Sequence, residues 1–134
     1  MRKGFTMIEL IFVIVILGIL AAVAIPKLAA TRDDAEISKV ATNVATAVSD
    51  ITAYYTAHKG GFAANVDDMT NTTKAGNVQS KGADCVLITV DNATGTITVA
   101  DPAGCGNEKI VDGAKKALSK TIGTHKVGGS SVEF

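Results

Sequence analysis

Apolar residues follow three different patterns along this chain, and each pattern predicts a different kind of element. From Phe5 to Ile25 the apolar run is almost unbroken, and the carboxylate of Glu9 is the one charge inside it. Over residues 28–59 apolar side chains recur every three or four positions, which is typical of an amphipathic helix. Beyond residue 84 short runs rich in β-branched residues, one of them strictly alternating, favour strands.

The first run has the length of a membrane span. At 1.5 Å per residue, a helix from Phe5 to Ile25 is about 31 Å long, close to the thickness of a bilayer's hydrocarbon core. Arg2 and Lys3 precede it, and positive charges of this kind stay on the cytoplasmic side of a membrane. We therefore expect one membrane pass, with the amino terminus in the cytoplasm and everything after Pro26 exported.

Glu9 separates three interpretations of this segment. Ala22-Val23-Ala24 fits the cleavage pattern of a secretory signal peptide, but a carboxylate is costly in a segment that is discarded. A plain anchor explains the length and leaves Glu9 without a role, although charges in a span are usually functional. If the chain is instead cut between Gly4 and Phe5, the new α-amino group begins a helix in which Glu9 lies one turn further on. In a bundle of subunits Glu9 could then face a neighbour's amino terminus and fix their register.

The segment GFTMIELIFVIVILGILAAVAIP resembles the class III signal of type IV pilins and type II secretion pseudopilins. The resemblance implies cleavage after Gly4 by the prepilin peptidase, which also methylates the new amino terminus at Phe5. It assigns filament assembly to Glu9 and a helix kink to Pro26. Met7 stands where leucine is more usual in the family.

The fold that we expect is α+β, with a long amino-terminal helix packed against a small antiparallel β-sheet, the lollipop arrangement of pilins. The amphipathic half of the helix needs a partner for its apolar stripe, and the carboxy-terminal region can supply it. The predicted stripe consists of Leu28, Ile37, Val40, Ala41, Val44, Val48, Ile51 and Tyr55. The predicted segments are a leader (1–4), a membrane and fibre-core helix (5–27), its amphipathic half (28–59), a connector loop (60–83) and a β-rich domain (84–134).

The connector is rich in Gly, Asn, Thr and Asp, which predicts a surface loop with room for one helical turn, pinned to the body by Phe62, Val66 and Met69. Two strands are predicted in the β-rich domain, at 85–90 and 96–100, joined by a turn. A helix over 108–120, capped by Asn107, is favoured over a strand at 109–111. The glycine-rich tail ends in residues 131–134, which we interpret as an edge strand.

The two cysteines, Cys85 and Cys105, allow three interpretations. A disulfide is favoured if the region is exported, and it would close a loop of about 20 residues, worth roughly 3 kcal/mol. Two free thiols are the first alternative. A zinc site is the second, and it would need His58 or His125 together with other distant ligands.

Composition and motifs argue against several functions. The 13 Lys and Arg side chains equal the 13 Asp and Glu side chains, so no basic excess indicates a nucleic-acid binder. The lysines at 115, 116, 120 and 126 are interpreted as a solvated face, and DNA binding has no further support. Asp67-Asp68 and Asp91-Asn92 lack the spacing of a calcium loop. Catalytic fingerprints are missing, so we expect no enzyme, no cofactor and no metal.

The resulting functional prediction is a structural subunit that polymerises with copies of itself through its amino-terminal helix. The resemblance implies an inner-membrane precursor, a prepilin peptidase and methyltransferase, and an inner-membrane assembly platform. The product is an extracellular pilus or a periplasmic pseudopilus. The cysteine pair favours the pilus, whereas the long segment after Cys105 departs from the usual pilin pattern. A membrane-anchored periplasmic binding domain that never polymerises is the rival interpretation.

Overall fold

The computed structural model describes Gly4 and residues 6–128, and the chain divides into two compact units, residues 1–33 and 34–134. Two helices, a 3₁₀ turn and five strands make up the described part. In chain order they are helix α1 (Met7–Ala57), the 3₁₀ turn (Val66–Asp68), β1 (Thr73–Lys74), β2 (Asn77–Ser80), β3 (Ala83–Asp91), β4 (Thr96–Val99), helix α2 (Glu108–Ala117) and β5 (Gly123–Lys126).

Helix α1 begins in the first unit and ends in the second. Pro26 lies inside it, and the helix continues on both sides, while the kink itself stays a prediction. The helix ends at Ala57, two residues before the predicted end. Lys59 and Gly60 have positive φ, and the Gly60 N–H donates to the Tyr55 carbonyl at 2.8 Å, which closes the last turn.

The five strands form an antiparallel sheet in chain order, β1 to β5. Strand β3 is the central and longest strand, and its two halves have different neighbours. Its first half pairs with β2, up to the pair Asn77 and Leu87. Its second half pairs with β4, from Ile88 opposite Val99 to Asp91 opposite Thr96. The helix and sheet confirm the predicted α+β class.

The core of the second unit lies between the helices and one face of the sheet. Strand β4 alternates strictly, with Ile97 and Val99 buried and the two threonines half-buried. The buried residues of α1 are Val40, Val44, Ala47, Ile51 and Tyr55, and those of α2 are Ile110 and Ala114. The apolar stripe is thus confirmed at its centre. It is wrong at Leu28, which is 62% exposed, and it omitted the fully buried Ala47.

Predictions for the connector and the tail need correction. The single helical turn is confirmed as the 3₁₀ turn, and Phe62, Val66 and Met69 are buried. The rest of the loop is wrong where β1 and β2 occur, because pairing with β3 holds a segment whose own β-propensity is low. Strand β5 was missed for the same reason within the glycine-rich tail. The edge strand predicted at 131–134 lies outside the described residues.

Helix α2 confirms the helical alternative over the strand. The Asn107 side chain accepts a hydrogen bond from the Ile110 N–H at 2.9 Å, which is the predicted cap. Lys115 and Lys116 lie in the last turn, where the helix dipole favours cations. The helix ends at Ala117, earlier than expected, and short turns then carry the chain into β5.

Candidate functional site

An uncovered apolar surface surrounds α1 in the first unit. Every described residue from Gly4 to Leu28 is exposed, and the large apolar side chains range from 51% exposed at Ile11 to 75% at Met7. The helix is long and apolar enough to cross a membrane, and none of its apolar window is buried. Large continuous apolar surfaces of this kind mark contacts with a membrane or with other protein chains.

Glu9 is a charged group near the start of this surface, and it lies in a reciprocal cap at the start of α1. The Thr6 N–H donates to Glu9 Oε2 at 2.9 Å, and the Glu9 N–H donates to Thr6 Oγ1 at 3.3 Å. The Leu10 N–H donates to the Thr6 carbonyl at 3.2 Å, so Thr6 occupies the N-cap position. This is a capping box, in which two otherwise unpaired backbone donors are satisfied.

Thr6 is the residue at this site that the sequence reasoning missed. The signal was present, because a Thr followed three residues later by a Glu, just before an apolar run, is the sequence signature of a capping box. The capping box also fixes the position of the Glu9 carboxylate. One carboxylate oxygen of Glu9 is held against the helix start, where the dipole also favours negative charge.

The other predicted processing residues are placed only in part. Gly4 is exposed, and a Cβ built on it would meet no atom within 4 Å. Phe5 lies outside the described residues, so the scissile bond and the methylation site stay predictions. Pro26 lies on the exposed part of α1, well after the capping box.

Asp67, which lacks calcium-loop spacing in the sequence, closes a turn. Its carboxylate accepts hydrogen bonds from Thr73 Oγ1 at 2.7 Å and from the backbone N–H groups of Ala75 at 2.6 Å and Gly76 at 2.9 Å. The Thr73 hydroxyl and the Gly76 N–H lower the pKa of Asp67 most strongly, because they stabilise the charged form. The neighbouring Asp68 receives a longer bond, 3.4 Å, from Asn65 Nδ2.

Asp91 and Asn92, the second acidic pair without calcium-loop spacing, also make turn contacts. The Asp91 carboxylate accepts from the Ala93 N–H at 2.8 Å and from Thr94 Oγ1 at 2.9 Å, and these bonds lower its pKa. The Asn92 side chain accepts from the Phe62 N–H at 2.7 Å and donates to the Phe62 carbonyl at 3.3 Å. Over the described residues, no group of three or more His, Cys, Asp or Glu side chains could hold a metal ion.

The disulfide is confirmed. Cys85 and Cys105 are bonded, with their Cα atoms 4.2 Å apart, and the pair is buried at 3% and 0% exposure. The free-thiol and zinc interpretations are therefore wrong for these cysteines. His58 stacks on Tyr54 with ring centroids 3.8 Å apart, and His125 Nε2 lies 2.6 Å from the Thr121 carbonyl.

The chain matches the family model of the prokaryotic N-terminal methylation motif over residues 1–25. Over 118 residues the chain is 35% identical to a fimbrial protein of Neisseria meningitidis serogroup A, covering 88% of this chain and 65% of that one. It is 34% identical over 120 residues to the fimbrial protein EcpC of Eikenella corrodens, covering 90% and 75%.

A third relative is the type II secretion system core protein G of Klebsiella michiganensis, 38% identical over 53 residues, which is 40% of this chain and 37% of that protein. The chain thus spans slightly less than two thirds of the Neisseria protein and just over a third of the Klebsiella one. No solved structure matches the chain.

Proposed function

We propose that this chain, which belongs to the family of type IV pilins and type II secretion pseudopilins, is a structural subunit of a type IV pilus-like filament. The observation that carries the proposal is the uncovered apolar surface of residues 7–28. An apolar helix surface that its own chain leaves open requires a bilayer or other helices around it. Successive burial in a membrane and in a fibre core meets that requirement.

The precursor is inserted in the inner membrane with its amino terminus in the cytoplasm and its body in the periplasm. A prepilin peptidase then cuts after Gly4 and methylates the amino group of Phe5. The match to the N-terminal methylation motif over residues 1–25 supports this processing. An inner-membrane assembly platform transfers the mature subunit into the growing fibre, which leaves the cell as a pilus.

Glu9 acts in this transfer as the group that recruits and aligns subunits. A carboxylate in an apolar bundle is tolerated when a cation and hydrogen bonds compensate its lost hydration. The capping box supplies one hydrogen bond, from the Thr6 N–H. The amino-terminal cation of a neighbouring subunit supplies the charge, so the pair forms only when subunits are in register.

A second candidate function is a pseudopilin of a type II secretion system, which would form a short periplasmic fibre. The relationship to core protein G favours it, although that match covers only 53 residues. The two fimbrial proteins match over 118 and 120 residues, which include the body as well as the helix. Because these longer matches are to proteins named as fimbrial, the pilus subunit is our first choice. Neither relative supports an enzymatic function.

Replacing Glu9 tests the proposal directly. We expect Glu9→Ala to insert in the membrane and to abolish or strongly reduce fibres, measured by electron microscopy of material sheared from cells. Mass spectrometry of wild-type fibres should show a mature chain that begins with N-methylated Phe5. Fibre location then separates the two candidates, because a pilus is surface-attached and a pseudopilus is periplasmic.

Asp34→Ala is the matched control, since Asp34 is an exposed carboxylate on the same helix. We expect this variant to assemble as the wild type does. Normal fibres from Glu9→Ala would contradict the alignment role. A membrane-inserted wild-type chain that never forms fibres would instead favour the anchored binding domain.

A further inference from the structure

A groove runs beside the second half of β3, where that strand has a neighbour on one side only. Strand β2 pairs with β3 as far as Leu87, whereas β4 pairs with Ile88 onward. The groove has a volume of about 640 Å³ and is lined by β3 residues 87–90, by residues 64–68 and by Ala75 and Gly76. Leu87 is 41% exposed there, so the groove is partly apolar.

Two carboxylates line the same groove. Asp67 and Asp68 belong to the 3₁₀ turn, and both are exposed. The three hydrogen bonds from Thr73, Ala75 and Gly76 hold the Asp67 carboxylate in one orientation and favour its charged form. A lysine side chain suits such a surface, because its aliphatic part can cover apolar atoms while its ammonium group reaches a carboxylate.

The same unit carries four lysines at the end of α2 and in the segment after it, Lys115, Lys116, Lys120 and Lys126, which we call the lysine cluster. All four lysines are exposed, and none makes an ion pair within the described part of the chain. Glu108 and Asp112 lie on the same helix α2 but nearer to its start, so its last turn keeps a positive excess.

The groove lies beside the central strand β3, whereas Lys126 of the lysine cluster lies on the outer strand β5. The 3₁₀ turn contacts β1 and β3, while the short turns after α2 lead into β5. Strand β4 lies between β3 and β5, so two strand spacings, about 10 Å, separate the strand that lines the groove from the strand that carries Lys126. At this separation exposed charges are largely screened by salt, and no ion pair joins the groove carboxylates to these lysines within the described residues.

We infer that the groove binds the lysine cluster of a second copy of this chain. The inference rests on the proposed filament function and names a contact of the body, separate from the amino-terminal helix. Two different, complementary surfaces on one chain make a heterologous contact, which can repeat without limit and so build an open helical fibre. Charge complementarity of this kind fixes register and speeds association.

A cross-linking experiment tests the contact in assembled fibres of the full chain. In Asp68→Cys/Lys116→Cys, we expect oxidation to give a ladder of covalent multimers on a non-reducing gel. The control is Asp68→Cys/Lys39→Cys, because Lys39 is an exposed residue of α1 outside the cluster. A ladder of equal extent in both variants, or in neither, would overturn the inference.

Charge reversal provides an independent test. We expect Lys115→Glu/Lys116→Glu to raise the subunit concentration needed for fibre formation about three- to fivefold, the size typical of exposed ion pairs. Adding Asp68→Lys should restore part of that loss. Lys39→Glu/Lys59→Glu changes the net charge equally and should have little effect.

The outcomes separate this inference from the proposed function. Wild-type fibres together with charge variants that match the control would overturn the body contact alone. A wild-type chain that forms no fibres would overturn both proposals. If Lys115→Glu/Lys116→Glu is unstable, judged by its thermal unfolding, the neutral Lys115→Gln/Lys116→Gln variant replaces it and must still weaken assembly.

Discussion

Residues 7–28 and residues 37–55 belong to one helix, yet only the second segment buries its apolar side chains within the chain. In the first segment the large apolar side chains are all more than half exposed. In the second segment five residues are buried against the sheet and α2. The first segment therefore needs lipid or another chain to cover its apolar side chains, whereas the second is covered by the sheet and α2 of the same chain.

The difference has a thermodynamic side. Burying one large aliphatic side chain contributes about 1.5–3 kcal/mol, so residues such as Ile51 contribute to folding of the body itself. The equivalent contribution from Ile14, which is 57% exposed, becomes available only when lipid or another chain covers it, as in the proposed fibre. Stability of the body and stability of the fibre should therefore respond to different substitutions.

Truncating one isoleucine in each segment gives the largest expected contrast. Ile51→Ala removes a fully buried side chain and should lower the free energy of unfolding of the body by about 2–5 kcal/mol. Ile14→Ala should leave that free energy unchanged. Thermal unfolding of the full chain in detergent micelles, followed by circular dichroism, measures both, and equal destabilisation by the two variants would break the comparison.

Removing the disulfide should have the next largest effect, again confined to the body. The Cys85→Ser/Cys105→Ser variant opens a loop spanning 20 residues, with an expected loss of about 3 kcal/mol. Membrane insertion of the apolar segment should not change. Adding reductant is the control, since it should lower the melting temperature of the wild type but not that of the serine variant.

Two glycines, one in each unit, allow a comparison with a smaller expected change in stability. A Cβ at Gly113 would lie 2.2 Å from Ile37 Cδ1, whereas a Cβ at Gly18 would meet nothing within 4 Å. Gly113→Val should therefore destabilise the body by about 1–3 kcal/mol through overpacking. Gly18→Val should not affect it. Unchanged unfolding of Gly113→Val would mean that Ile37 has another rotamer available.

Elements with a strong local signal could be predicted from the sequence. The spacing of Val40, Val44 and Ile51 gave the helix stripe, the alternation of 96–99 gave β4, and Asn107 gave the start of α2. Strands β2 and β5 have no such signal of their own, since both exist through pairing with a stronger neighbour.

The candidate site shows the same limit. Glu9 was identified because its charge contradicts its apolar surroundings, while the capping contact with Thr6 was overlooked although its residue pattern was visible. The role of Asp67 could not be predicted, because its partners lie six to nine residues further along a turn. Local patterns specify helices and strands, whereas such turn contacts follow from the path of the folded chain.

Asp67 provides the smallest and most specific test. Its pKa in the folded chain is below the ordinary value of 3.8, so its hydrogen bonds contribute stability above pH 3.8. That contribution is lost as the pH falls from 3.8 through the folded pKa, because the unfolded chain takes up the proton first. Asp67→Asn should therefore lower the melting temperature slightly at neutral pH and weaken its decrease below pH 4.

Asp101→Asn is the matched control, since Asp101 is an exposed carboxylate of the same unit. We expect its melting temperature to follow the wild-type pH dependence. Asp91 also has a lowered pKa, so part of the decrease in acid should persist in Asp67→Asn. If the melting temperature of Asp67→Asn decreased below pH 4 as much as that of the wild type, the turn beside the groove would not depend on the charge of Asp67. A contribution of a preorganised Asp67 carboxylate to the body contact would then be contradicted.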